Sequence, residues 1–197
     1  MTTPLRSSPN LIIRRAKAGD ARLLAELGAR TFSETFAADN SDADMTDYLS
    51  SAFSEAQQKA ELADPRSIFH IAEVSGVAVG YALLRPGNVP AGVTNDQPIE
   101  LVRLYVSREY LGCGVGAGLM QVCISEASQL GYRILWLGVW EHNHRAQAFY
   151  RKWDFRVVGT HIFQLGGDAQ TDLLMERRVT LATSDIELVR TPPTCSL

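Results

Sequence analysis

The sequence predicts one globular domain in which helices pack on a mixed sheet, an α/β or α+β architecture. The 197 residues are 46% hydrophobic and 21% charged, so the chain has enough apolar surface to bury a core. Strand-like and helix-like apolar patterns alternate along it, and no repeat or low-complexity run interrupts them. We therefore expect one folded domain at residues 11–180, with tails at 1–10 and 181–197 that lack sustained apolar periodicity.

The first predicted elements are a strand and three helices. The strand covers residues 11–16, and Asp20 is the expected N-cap of the first helix, because an apolar stripe of helical spacing follows it. A short helix is predicted around 45–53, where apolar residues again recur at helical spacing. Ser54 and Gln57 then form a capping-box pattern, which predicts the start of a third helix.

Two strands come next, at residues 67–74 and 77–84. Only Ser75-Gly76 separates them, a two-residue connection typical of a β-hairpin. The stretch at 85–98 is rich in Pro, Gly and Asn and is predicted to be a loop. The remaining predicted elements are a strand at 100–106, a helix at 114–130 ended by Gly131, a strand at 134–140, a helix at 144–153 and strands at 155–163 and 171–179.

Charge and composition argue against several function classes. With 19 Lys and Arg against 22 Asp and Glu, the net charge is -3, so the chain lacks the basic excess that nucleic-acid binding needs. No run approaches the roughly 18 apolar residues of a membrane span, and residues 1–10 carry no apolar signal segment, so we expect a cytoplasmic protein. Cys113, Cys123 and Cys195 have neither zinc-ligand nor disulfide-framework spacing, and we expect free thiols.

The sharpest local feature is a glycine-rich turn at 111–118, Leu-Gly-Cys-Gly-Val-Gly-Ala-Gly, at the start of a predicted helix. Its bare amides and the positive end of the helix dipole suit a phosphate, although glycines also allow a tight turn and close packing. A nucleotide-triphosphate loop is excluded because no Gly-Lys-Ser/Thr follows. A dinucleotide fingerprint stays open, since Gly112, Gly114 and Ala117 fit its spacing and Glu141 ends the next strand.

A second cluster follows the strand at 134–140, in the segment Trp-Glu-His-Asn-His-Arg-Ala-Gln-Ala-Phe-Tyr. His142 and His144 have no third ligand at metal spacing, so we expect no metal site. Asn143 is a suitable N-cap for a packed helix. Tyr150 fits a purely structural role less well, because a buried phenol needs a hydrogen-bond partner.

Together these two segments resemble the GNAT family of acetyl-CoA-dependent N-acetyltransferases. The resemblance spans about residues 11–180. It rests on the strand and glycine-rich turn at 106–119 and on Asn143, Tyr150 and Phe155 in the second segment. Two motifs in the right order and at the right separation make it specific.

Two positions depart from the family pattern. Leu111 replaces an Arg or Gln at the start of the turn, a change that leaves the backbone donors in place. Asp154 stands where a glycine is usual, in the turn after the second helix. The resemblance implies a mostly antiparallel sheet of six to seven strands, splayed apart between the fourth and fifth strands.

The resemblance also implies a site for acetyl-CoA, with no metal. Pantetheine would lie along the exposed strand edge at Leu104, Tyr105 and Val106. Asn143 would contact this arm or fix the loop, and Tyr150 would point its hydroxyl at the thioester sulfur. The pyrophosphate would bind the backbone amides of Leu111, Gly112, Cys113, Gly114, Val115, Gly116 and Ala117.

Acetylation of an amine calls for a base, because an alkylammonium is neutral at only about one part in a thousand at pH 7. Glu100 matches by position the carboxylate that serves as base in parts of the family, and a surface glutamate is the other interpretation. Strand alternation predicts that Glu100 shares a face with Val102, Leu104 and Val106. Glu141 is the reserve candidate for the base.

The other steps of the reaction have candidates too. Tyr150 is expected to protonate the departing thiolate, and the N–H of Val106 to bind the oxyanion. Cys113 at a helix N-terminus suggests an acetyl-cysteine intermediate as an alternative. The resemblance instead implies direct transfer in a ternary complex, and a residue under the pyrophosphate is poorly placed to reach the acetyl carbon.

Five acidic residues and no basic one fall within residues 34–47, where they would attract a cation or form an ordinary solvated surface. The segment at 31–36, taken with the second cluster, resembles the bacterial polyamine (spermidine/spermine) branch of the family. We therefore expect a small polycationic amine bound by Glu34, Asp39 and Glu141, with protein N-termini, lysines and amino sugars as other acceptors. A noncatalytic coenzyme A sensor and a homodimeric assembly both stay open.

Overall fold

The computed structural model describes residues 10–180, so the predicted tails lie outside it apart from Asn10. Every predicted helix and strand is present, with ends shifted by a few residues. The strands are β1 (Leu11–Arg15), β2 (Ile68–Val74), β3 (Val77–Arg85), β4 (Pro98–Val106), β5 (Ile134–Trp140), β6 (Arg156–Leu165) and β7 (Asp168–Arg178). The α-helices are α1 (Ala21–Phe36), α2 (Asp42–Ala52), α3 (Glu55–Ala63), α4 (Val115–Gln129) and α5 (His144–Lys152), and short 3₁₀ turns precede α1 and follow β4.

The strands form one seven-stranded sheet in the order β1-β2-β3-β4-β5-β7-β6. Neighbouring strands are antiparallel except for β4 and β5, which run parallel. This confirms the mixed, mostly antiparallel sheet. The dinucleotide-binding alternative is wrong, because that fold needs an open, mainly parallel sheet wound with helices on both sides.

Helices cover both faces of the sheet. α4 and α5 lie on one face, where Leu119, Met120 and Tyr150 join the main apolar core. On the opposite face α1 buries Leu24 and Leu27 in a second core. None of the helices within residues 10–180 is long and apolar enough to cross a bilayer.

Two predicted N-caps have different outcomes. The Ser54 hydroxyl accepts a hydrogen bond from the Gln57 amide at 3.2 Å and so begins α3 as predicted. Asp20 occupies the N-cap position of α1 but does not cap it. Its carboxylate instead accepts from the Arg14 guanidinium at 2.8 and 2.9 Å and from the Lys17 amide at 2.7 Å, so the predicted position is confirmed but the capping hydrogen bond is absent. The nearby arginine offers a charged partner that a helix amide does not.

The predicted hairpin between β2 and β3 is confirmed. Ser75 and Gly76 both have positive φ, 53° and 81°, and Val74 pairs with Val77. Two successive left-handed residues are the geometry of a tight hairpin turn. Asp154 also has a positive φ of 63°, so it adopts the conformation that a glycine usually supplies after α5.

A β-bulge in β4 opens the centre of the sheet. β4 pairs with β5 only from Pro98 to Glu100, and its register against β3 shifts between Leu101 and Arg103, leaving Val102 as the extra residue. A bulge bends a strand and increases its twist, so it turns β4 away from β5 just beyond their last shared pair. The predicted splay between the fourth and fifth strands is confirmed.

The same bulge corrects the predicted face of Glu100. Glu100 and Val102 lie on the face that carries α1, since Glu100 pairs with Arg85 and Val102 packs in the second core. Beyond the bulge the alternation shifts by one residue, and Leu104 and Val106 pack on the opposite face, beside α4. The prediction that all four residues share one face is therefore wrong.

Candidate active site

The splay between β4 and β5 creates a cleft of about 1080 Å³. It runs from the start of α4, past the exposed edge of β4, to the space between α1 and the β6–β7 hairpin. Ligand sites in proteins commonly measure about 300–1,000 Å³, so this cleft has room for a large cofactor together with a second molecule.

The glycine-rich turn at one end of the cleft presents free backbone donors. Gly112 and Gly114 have φ values of 80° and 87°, which only glycine adopts readily. No side chain caps α4. Two of the amides predicted to bind the pyrophosphate already form hydrogen bonds within the protein. The Leu111 amide donates to the Arg108 carbonyl and the Cys113 amide to the Tyr110 carbonyl, both at 3.2 Å. The amides without an acceptor in residues 10–180 are those of Gly112, Gly114, Val115, Gly116 and Ala117.

The missing side chain of Gly116 keeps this end of the cleft open. A Cβ built there would lie 3.8 Å from the side chains of both Val106 and Phe149, which also line the cleft. The Cys113 side chain is exposed and does not line the cleft, whereas the Val115 side chain is buried in the main core. The turn therefore offers main-chain groups rather than side chains.

The sequence reasoning missed three cations that line the cleft. Arg108, Arg145 and Lys152 all line the cleft. Arg145 and Lys152 form no ion pair within the described part of the chain. Their spacing of seven residues puts them on one face of α5, which could have identified them from the sequence. The free amides make the turn suitable for phosphate groups, and the cations of the cleft add to the attraction.

The middle of the cleft is walled by the open edge of β4. From Leu101 to Val106 this strand has no partner on the β5 side, and Leu104, Tyr105 and Val106 line the space. Unpaired strand edges present N–H and C=O groups that an extended ligand is able to bind.

Tyr150 and Asn143 reach the cleft from α5. Tyr150 is only 8% exposed, and its hydroxyl makes no hydrogen bond to another described residue. Burial raises its pKa, so the phenol stays protonated at neutral pH. Asn143 caps α5 as predicted, accepting from the Ala146 amide at 3.1 Å, while its Nδ2 has no partner among residues 10–180.

Glu100 lines the cleft at the point where the two strands part. It forms no hydrogen bond or ion pair within the described residues, and burial raises the pKa of its carboxyl against the opposing effect of Arg85 and Arg103. Arg103 is neutralised by a buried ion pair with Glu61, with N–O distances of 2.6 and 3.1 Å. Glu141, the reserve base, does not line the cleft but an adjoining shallow pocket of about 240 Å³, which shares Asp39 and Trp140 with it.

The acidic side chains of residues 34–47 have different roles: some line the cleft, and some hold other segments in place. Glu34 lines the cleft, but its carboxylate accepts from the Arg108 amide at 2.8 Å and so holds the turn after β4. Asp44 accepts from the Gly167 amide at 2.6 Å and ties α2 to the β6–β7 hairpin. Asp39 lines both the large cleft and the shallow pocket, whereas Asp47 is exposed and lines neither.

A second tie and an aromatic contact span the same end of the cleft. The Gln170 amide donates to the Asn40 side-chain oxygen at 2.5 Å, which joins the segment after α1 to β7. The rings of Phe36 and Trp140 meet edge to face with centroids 6.0 Å apart. This end of the cleft is therefore bridged by contacts between the helical segment and the strands.

The structure also brings together His161 and Asp172, which the sequence reasoning missed. Both line the cleft, with His161 Nε2 3.6 Å from Asp172 Oδ2. Gly138 of β5 faces them. All other residues of β5 have large apolar side chains, so this glycine could have indicated from the sequence that other groups lie close to the strand here. Within residues 10–180 no group of three or more His, Cys, Asp or Glu is arranged to hold a metal.

Known proteins similar to this chain are acetyltransferases. Residues 30–155 match the model of the acetyltransferase (GNAT) family. The chain is 32% identical over 151 residues to an uncharacterized N-acetyltransferase of Lactobacillus delbrueckii subsp. lactis, an alignment that covers 77% of this chain and 87% of that protein.

Solved structures share the fold. The PaiA N-acetyltransferase from Thermoplasma acidophilum, in complex with coenzyme A, has a TM-score of 0.68 at 20% identity and covers 86% of this chain and 99% of its own. The ribosomal-protein-alanine N-acetyltransferase from Brucella melitensis has a TM-score of 0.64 at 25% identity, with 85% and 99% covered. On the family match and the curated relative, the chain belongs to the acetyltransferase (GNAT) family.

Proposed function

We propose that the protein transfers acetyl from acetyl-CoA to a primary amine, by direct transfer in a ternary complex. The observation that carries the proposal is the polarity of one continuous cleft. Free amides lie at the α4 end, Arg145 and Lys152 line the same cleft, and Asp39 and Asp172 line it together with aromatic walls. Such a cleft matches a phosphate-bearing donor at the α4 end and a cationic acceptor beside the carboxylates.

The amides at the start of α4 support the donor half of the proposal. The pyrophosphate of acetyl-CoA accepts from the free amides of Gly112, Gly114 and Ala117 and gains from the positive end of the helix dipole. Pantetheine extends along the open edge of β4 at Leu104–Val106, with Asn143 Nδ2 as a further donor. The Thermoplasma relative of known structure was solved with coenzyme A.

The two ionisable groups in the cleft support the chemistry. Glu100, directly or through water, takes the proton from the acceptor ammonium. The neutral amine nitrogen attacks the thioester carbonyl, and the N–H of Val106 stabilises the oxyanion. As the carbon–sulfur bond breaks, Tyr150 donates its proton to the thiolate, and the second proton lost by the attacking nitrogen returns to the phenolate through water. Glu100 releases its proton to solvent, and the products are an acetamide and coenzyme A.

The acceptor in this proposal is a small polycationic amine such as spermidine or spermine. Glu100, Asp39 and Asp172 place negative charge in the acceptor half, and aromatic rings of α1, α2 and β5 wall it. A protein N-terminus is the second candidate, since the Brucella melitensis relative is named for acetylating a ribosomal-protein alanine.

A direct assay tests this function. The purified protein is incubated with acetyl-CoA and separately with spermidine, a lysine peptide and an alanine N-terminal peptide, and free thiol is measured. Spermidine-dependent thiol release with formation of N-acetylspermidine is expected. Tight acetyl-CoA binding by calorimetry without turnover of any amine would instead identify a coenzyme A sensor, and absence of binding would overturn the proposal.

A further inference from the structure

We infer that Asp172, flanked by His161, is a subsite for a second, protonated nitrogen of the acceptor, remote from the nitrogen that is acetylated. The inference rests on the proposed function and names a specificity residue for it. Asp172 is absent from every motif of the sequence and becomes visible only in the folded cleft.

Strand pairing places Asp172 in the acceptor half of the cleft. On β7 it pairs with Trp140 of β5 on one side and with His161 of β6 on the other. The residue is 9% exposed, and its side chain lines the cleft. The position is therefore a nearly buried carboxylate that lines the cleft.

The charge of Asp172 is poorly compensated by the protein. Within residues 10–180 it accepts no hydrogen bond of good geometry, and its only ion-pair neighbour is His161 Nε2, at 3.6 Å. Burial raises the pKa of its carboxyl, His161 acts against that shift, and Glu141 adds to it. A buried carboxylate without a bound cation costs free energy, so a ligand ammonium would supply the missing partner.

Gly138 creates the room for this pair. A Cβ at position 138 would lie 2.9 Å from His161 Nε2 and 3.1 Å from Asp172 Oδ2. Every larger residue would therefore push the two side chains away from β5. The aromatic rings beside them, Trp140 against Phe36 and Tyr48 against Phe163, provide faces that favour a cation.

The separation from Glu100 indicates what kind of acceptor fits. Glu100 pairs with Trp136 and Asp172 with Trp140, four residues along β5, which corresponds to about 13 Å of strand. A small monoamine has a single nitrogen, which cannot contact two carboxylates that lie this far apart. An extended acceptor with two charged nitrogens, such as spermidine, spans this distance.

The test compares two amines at saturating acetyl-CoA. Wild-type protein is expected to prefer spermidine over n-butylamine in kcat/KM. Asp172→Asn should reduce kcat/KM for spermidine at least tenfold through KM, while kcat/KM for n-butylamine and the Kd for coenzyme A change less than twofold. Asp47→Asn, which removes an exposed acid outside the cleft, is the matched control and should change neither amine.

A second variant keeps the charge of Asp172 and displaces the side chains of Asp172 and His161. Gly138→Ala is expected to reproduce the selective loss for spermidine, because only the tips of two side chains must shift to admit the methyl group. An equal loss for both amines, or no loss for spermidine in either variant, would overturn the inference while leaving the acetyltransferase intact. Wild-type protein that neither acetylates nor binds any amine would overturn the proposed function, and the inference with it.

Discussion

Burial raises the pKa of both Tyr150 and Glu100, and the two shifts have different consequences for catalysis. The raised pKa of Tyr150 keeps a proton on the phenol, as a group that protonates a leaving thiolate requires. The raised pKa of Glu100 makes its carboxylate a stronger base than an exposed glutamate, but a base only above that pKa. For these two residues burial is the largest cause of the shift, ahead of neighbouring charge.

Replacing Tyr150 by Phe is expected to lower kcat by about 10²-fold, because the variant has no proton to give to the thiolate. The Kd for coenzyme A should stay within twofold, since the ring remains in place. Tyr132→Phe is the control, as Tyr132 packs on the same core outside the cleft. Full activity of Tyr150→Phe would remove this residue from the mechanism.

The pH dependence of kcat tests Glu100. Protonation inactivates a base, so kcat should fall as pH decreases through the raised pKa of this carboxyl and level off above it. Glu100→Gln should reduce kcat by about 10²-fold and abolish this acidic limb, whereas exposed Glu109→Gln should leave both unchanged. An acidic limb that survives in Glu100→Gln would assign the base to another group.

The sequence predicts site residues whose role depends on their immediate neighbours in the chain. It does not predict residues whose role depends on contacts between distant segments. Asn143 was identified as a cap because a cap depends only on the helix that follows it. His161 and Asp172 lie on different strands, and nothing near either one in sequence predicts that they meet across Gly138. Glu34 was predicted to bind substrate, yet its carboxylate also holds the Arg108 amide, a contact between distant segments.

At the scale of elements, the bulge in β4 and the uncapped start of α4 form the cleft. The bulge at Val102 parts β4 from β5, and the turn after β4 directs the N-terminus of α4 into the gap. The hairpin at Ser75-Gly76 was predictable because only two residues, one of them a glycine, separate two strand patterns. The bulge was not, since residues 100–106 alternate as in a regular strand, and this explains the error over the face of Glu100.

Gly116→Ala is expected to affect the stability of the protein and its binding of coenzyme A in opposite ways. The methyl group meets its neighbours at ordinary contact distance and improves helix propensity by up to about 1 kcal/mol, so Tm should be unchanged or higher. The same methyl group occupies the cleft, and the Kd for coenzyme A should rise at least tenfold. Gly118→Ala, in the same helix but outside the cleft, should bind coenzyme A normally, although its methyl group must displace Ile13 and Leu11, at 3.0 and 3.2 Å. Unaltered binding in Gly116→Ala would contradict the placement of the donor.

At the scale of the whole molecule, one cleft that accommodates donor and acceptor together predicts sequential kinetics. Initial-velocity plots with acetyl-CoA and spermidine varied should intersect, because both substrates must be bound before transfer. The Cys113 thiol lies outside the cleft, which disfavours an acetyl-cysteine intermediate. Parallel lines, together with acetylated protein isolated in the absence of amine, would contradict direct transfer.

Contacts between distant segments hold one end of the cleft. Asp44 with Gly167, Asn40 with Gln170 and Phe36 with Trp140 join the helical segment to the strands. The walls at this end therefore come from parts of the chain that meet only on folding. Weakening any of the three links would disturb this end of the cleft while leaving the turn before α4 intact.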